Sequence, residues 1–121
     1  MVPNNSRIDL SFLQNFTSQD EEKVRYYIQI YIKTATQMFG ELEKSMDTIS
    51  NEDLYARIHS LKPQTRYVGI IGLTELLVEI EMAIKNKSNR EVIRQKLEAA
   101  INLNKLGMQE LESHYLAEKN F

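Results

Sequence analysis

The sequence predicts an all-α fold, an antiparallel up-down-up-down four-helix bundle with a short N-terminal helix. Three observations carry that expectation. Apolar residues recur at steps of three, four and seven along nearly the whole chain, the spacing that holds one face of a helix against a core. No stretch alternates apolar and polar residues long enough to read as a strand. Only 4 glycines and 2 prolines occur in 121 residues, so short links rather than long loops are expected between helices. That length suits a single domain, with its core expected from Ile8 to Tyr115.

The elements follow in order. Ile8, Leu10, Phe12, Leu13 and Phe16 form a short apolar turn expected to cover one end of the bundle. Ser18 followed by Glu21 reads as a capping box opening a long helix. Its inward stripe is Val24, Ile28, Tyr31, Ala35, Met38, Leu42 and Ile49. Ser50 and Asn51 begin the next helix, with Asp53 placed favourably against the dipole of its first turn. Leu54, Ile58, Leu61, Thr65 and Val68 form its stripe, and Gly69 and Gly72 loosen the chain beyond it. A shorter helix carries Leu73, Leu77, Ile80 and Ile84 and stops in the polar run from Lys85 to Arg90. Ser88 with Glu91 reads as a second capping box, starting a last helix along Ile93, Leu97, Ala100, Met108, Leu111 and Tyr115. Residues 117–121 are expected to fray or to continue into further sequence.

Composition removes several function classes. The chain has no cysteine, hence no disulfide framework and no thiolate metal site. Its 15 basic and 17 acidic residues are interspersed, for a net charge of −2, and no basic stripe points to nucleic acid. No apolar run approaches the roughly 20 residues that cross a bilayer, and MVPNNSRIDL lacks the regions of a signal peptide. A soluble, cytoplasmic monomer without membrane contact is the expectation. Walker and glycine-rich nucleotide loops are missing as well, so ATP-dependent self-phosphorylation is not expected.

The run HSLKPQTRYVG, His59 to Gly69, carries the chemistry. At about 100° per residue, His59 lies roughly 140° from the inward stripe, Lys62 about 80° and Arg66 about 120°. His59 therefore faces outward, flanked one turn to either side by Tyr55 and Pro63. An imidazole of ordinary basicity is largely neutral near pH 7, so a ring nitrogen can attack an electrophilic phosphorus. Lys62 supplies charge to phosphoryl or carboxylate oxygens, and Arg66 a second clamp. The other histidine, His114, falls on a different helix with no metal-ligand spacing to His59.

These residues resemble the signature of histidine-containing phosphotransfer (HPt) domains. His59, Leu61, Lys62, Val68 and Gly69 match H-x-L-K-G-x-x-x-x-φ-G, with φ apolar, and the helical pattern is similar over most of the chain. The family commonly has glycine after the lysine, where this chain has Pro63, which removes a helix donor and predicts a local kink or a water-satisfied carbonyl at His59. The resemblance implies that His59 accepts a phosphoryl group from the aspartate of one response-regulator receiver domain and passes it to another. It implies Lys62 as the electrostatic neighbour, receivers and a hybrid sensor kinase as partners, and no cofactor on this chain, with Mg²⁺ held by the receiver. Tyr55, Pro63, Ile70, Tyr26 and Ile30 are the expected docking residues. The dimerisation helix of sensor kinases resembles H-E-x-x-x-P instead, whereas here Ser60 follows His59 and proline comes four residues on. The other reading of the sequence is a non-catalytic protein-interaction bundle with an inert histidine, for which outward apolar residues such as Tyr26, Tyr27, Ile30 and Ile32 would form the docking face.

Overall fold

A computed structural model describes residues 6–116. Five α-helices follow one another: α1 Ser11–Phe16, α2 Glu21–Ser45, α3 Asn51–Val68, α4 Leu73–Lys85 and α5 Arg90–Leu111, the last running into a π-helical turn, Glu112–Leu116. The starts of α2, α3 and α5 are made by short polar side chains that accept from orphan amides. Ser50 does so for α3, accepting from the Asp53 amide at 3.1 Å, as the sequence predicts. The other two expected caps shift. Asp20, not Ser18, accepts from the Glu22 and Lys23 amides, because Ser18 and Gln19 both turn left-handed in the α1–α2 link. Asn89, not Ser88, accepts from the Glu91 and Val92 amides after a left-handed Lys87.

Helix α2 packs on α3 and α5, α3 on α4, and α4 on α5, while α1 lies against α2 and α3. Helix α3 runs opposite to α2, and α4 opposite to α3. Glu41 meets Arg57 and Met38 meets Gln64 between α2 and α3, and His59 meets Glu81 and Thr65 meets Thr74 between α3 and α4. All five apolar-stripe positions expected in α3 are buried. In α2 the buried residue after Ala35 is Phe39 rather than Met38. The stripe advances in steps of four there, and Met38 and Ile49 only flank the core. Ile84, Met108 and Tyr115 are likewise half-buried flanking residues.

Two buried polar residues join α2 to α5. The Tyr31 hydroxyl donates to Asn104 Oδ1 at 2.6 Å, both side chains being almost wholly buried. Burial pushes the Tyr31 phenol well above its ordinary value, so it remains a donor. Among the described residues Asn104 Nδ2 has no hydrogen-bond partner. Tyr31→Phe is therefore expected to cost about 1–3 kcal/mol in urea unfolding, because it strips Asn104 of its remaining bond; a loss below measurement error would contradict that role.

The link from α3 to α4 is pinned by the chain's N-terminal segment. Asp9 donates its amide to the Gly69 carbonyl at 2.8 Å, and Ile71 donates to the Arg7 carbonyl at 2.7 Å. Gly69 ends α3 with φ 60, and a β-carbon there would stand 1.8 Å from the Asp9 carbonyl oxygen. Between these bonds Ile70 turns inward, only 3% exposed, against the bare backbone of Gly107 in α5. Ile70 is thus a core residue and not the docking residue expected of it; its neighbour Ile71 is the exposed one. No helix among the described residues is long and apolar enough to cross a membrane.

Candidate functional site

Helix α3 buries Leu54, Ile58, Leu61, Thr65 and Val68 and so turns His59 outward, its side chain 68% exposed. Across from it α4 places Glu81, whose side chain is only 7% exposed. The two carboxylate oxygens are used separately. Oε2 lies 3.0 Å from His59 Nδ1, and Oε1 lies 2.6 Å from Lys62 Nζ. Burial opposes ionisation of Glu81, but the hydrogen bonds from Lys62 and His59 and the charge of Lys62 outweigh it and hold the carboxyl below its ordinary range. A buried carboxylate with both oxygens occupied is the arrangement in which such a charge is tolerated.

Two further side chains complete the patch. The Tyr55 ring stacks on His59 one turn later, with centroids 6.2 Å apart and planes 9° from parallel. Lys85, one turn beyond Glu81 on α4, sets its ammonium 5.5 Å from the centre of the Tyr55 ring. Two residue pairs, each spaced one helical turn, thus face each other across the α3–α4 seam.

Pro63 is exposed beside His59 and lies inside α3, which runs on through it to Val68. Side chains supplement the ladder around it. Thr65 Oγ1 donates to the Lys62 carbonyl at 2.9 Å and lies 2.8 Å from Thr74 Oγ1, and Gln64 Nε2 donates to the Ser60 carbonyl at 3.3 Å.

His59, Lys62, Tyr55 and Pro63 are therefore brought together as the sequence predicts. Arg66 is not. It stands two turns on, about 10 Å along the helix axis, and lines a groove with Pro63, Ile71, Glu75, Val78 and Glu79. Tyr26 and Ile30 are exposed, at 59% and 41%. They sit on a different part of α2 from the stretch beside His59, however. The stretch of α2 level with His59 is near Gly40, between the Met38–Gln64 and Glu41–Arg57 contacts. That leaves Ile30 about 15 Å and Tyr26 about 20 Å away along the axis.

Glu81 is the residue sequence reasoning missed. Its signal is an acid four residues after Leu77 and next to Ile80, on the face of α4 that is otherwise apolar. Among the described residues no group of three or more His, Cys, Asp or Glu side chains is placed to hold a metal ion. What the arrangement can do follows from hydrogen-bond roles. An ionised carboxylate only accepts, so His59 Nδ1 must carry the proton, and the lone pair is left on Nε2 at the open side of the ring. The site is thus an oriented, exposed nitrogen nucleophile backed by a buried anion. No protein-family model, curated protein or solved structure matches the chain.

Proposed function

We propose that this chain is a phosphocarrier of a phosphorelay, similar to an HPt domain, with His59 as the phospho-acceptor. In that reading the four long helices are an up-down-up-down bundle, α1 covers one end, and the protein works as a cytoplasmic monomer. The observation that supports it most is the Glu81 bond to Nδ1, which orients the ring and selects Nε2 as the attacking atom.

The step balances without any group beyond the two proteins and the receiver's own Mg²⁺. The Nε2 lone pair attacks the phosphorus of a receiver aspartyl phosphate. A P–N bond forms, the P–O bond to the aspartate breaks, and the electron pair leaves with the regenerated carboxylate. The ring becomes a phosphoimidazolium that keeps its Nδ1 proton against Glu81, so no proton transfer is needed in either direction. The return step reverses these changes onto a second receiver. Lys62 keeps Glu81 ionised and so acts through the carboxylate rather than as the mobile clamp that spacing implies.

A protein-interaction bundle is the second reading. It is favoured by a run of touching rings, the exposed Phe12, Phe16, Tyr67 and Tyr26 with the half-buried Tyr27 between Phe16 and Tyr26. One experiment separates the two. On incubation with phosphorylated receiver domains, the wild-type chain is expected to gain an acid-labile phosphate and His59→Gln to gain none, with the fold retained because the side chain is exposed. Equal labelling of both proteins, or of neither, would refute the phosphocarrier reading.

A further inference from the structure

We propose that Lys85 is the residue that binds the phosphoryl group once it is on His59, an inference that rests on the phosphocarrier reading above. A phosphoryl group on Nε2 brings negative charge to a ring already held by the carboxylate of Glu81, so the phosphorylated state needs a cation at the open side of the patch. Lys62 is poorly placed to supply it. Its side chain is only 20% exposed and its ammonium is bound at 2.6 Å to Glu81, and drawing it away would strip a buried carboxylate of its strongest partner. Arg66 is two turns distant along α3. Arg57, on the other side, is paired with Glu41.

Lys85 has none of these commitments. It is exposed, it has no carboxylate partner among the described residues, and its contact is the Tyr55 ring, which itself stacks on His59. A cation resting on an aromatic face at the surface is weakly held, whereas a charge-assisted bond to phosphoryl oxygen is among the stronger contacts a lysine makes. The flexible four-carbon stem allows the exchange without moving the helices. Tyr55 thereby has two positioning tasks, stacking on the acceptor ring and holding the ammonium over its own ring until the charge arrives. The division of labour is then clear: Lys62 serves the carboxylate behind the ring and Lys85 the phosphoryl group in front of it.

The test uses the whole chain and potassium phosphoramidate, a small-molecule phosphoryl donor, so that no receiver surface enters. The ³¹P chemical shift of the phosphohistidine is followed against pH in wild type, Lys85→Gln and Lys85→Arg, with His59→Gln as the assignment control. A nearby ammonium favours the more highly charged phosphoryl form. Lys85→Gln is therefore expected to raise the phosphoryl pKa by about 0.5 unit or more, and Lys85→Arg to restore it. The wild-type value is expected to move toward that of Lys85→Gln as salt is raised. Coincident titrations of wild type and Lys85→Gln, with His59 labelled in both, would overturn this proposal alone. Failure of wild-type His59 to take up phosphate from phosphoramidate or from a phosphorylated receiver would overturn it together with the phosphocarrier reading.

Discussion

Glu81→Gln is expected to slow phosphoryl transfer onto His59 by about 10- to 100-fold, the range seen when a partner that orients a metal-bound imidazole is removed. The amide keeps the shape but not the charge. Its oxygen can still accept from one neighbour, while its NH₂ group then confronts a second donor, either Nδ1–H or the Lys62 ammonium. The ring loses its fixed tautomer, and the phosphoimidazolium loses the anion that stabilises it. Rapid-quench transfer from a phosphorylated receiver measures the effect, and a rate within twofold of wild type would remove Glu81 from the mechanism. The same variant has a stability signature. The Glu81 carboxyl is lowered from its ordinary 4.5 in the folded chain. Its contribution to stability is therefore complete above that ordinary value and is lost as pH falls through the lowered one. Unfolding in urea at a series of acidic pH values is expected to show a shallower decline for Glu81→Gln than for wild type.

Gly69→Ala is expected to destabilise the chain by about 3–5 kcal/mol. Two effects act together. The residue sits in the left-handed region at φ 60, ψ 42, which disfavours any β-carbon, and that carbon would meet the Asp9 carbonyl oxygen at 1.8 Å, a backbone atom that cannot rotate away. Relief requires the N-terminal segment to lift, which breaks the Asp9–Gly69 and Ile71–Arg7 hydrogen bonds and uncovers Ile8 and Leu10. Equilibrium urea unfolding checks the magnitude, and a loss under about 1 kcal/mol would show that the segment does not clamp the turn. Because His59 is ten residues away on a helix held by its own stripe, the folded fraction of this variant is expected to retain transfer. That separates the clamp from the chemistry, although both fall within the run from His59 to Gly69.

That run was readable because helical periodicity is a local property. Leu54, Ile58, Leu61, Thr65 and Val68 determine which way α3 faces, and the same arithmetic turns His59 outward without knowledge of any other helix. The limits of single-stripe reasoning appear at Ile70. It lies just past a helix end, where the 100° step no longer applies and hydrogen bonds to Arg7 and Asp9 decide the direction. They appear again at Tyr26 and Ile30, which are exposed but stand at a different height from His59, because height depends on how α2 is registered against α3.

The helices, the inward face of α3 and the exposed histidine therefore belong to the sequence alone, since each depends on residues within a turn or two of one another. What surrounds the histidine does not. Glu81 reaches Nδ1 from 22 positions along the chain, Lys62 is drawn from a free charge into a buried pair, and Lys85 comes to rest on Tyr55. Each contact follows from the register of α4 on α3, set by the Gly69–Gly72 link and by side chains on both helices at once. Pairwise geometry of that kind has no periodic trace in either helix. It exists when the two are packed.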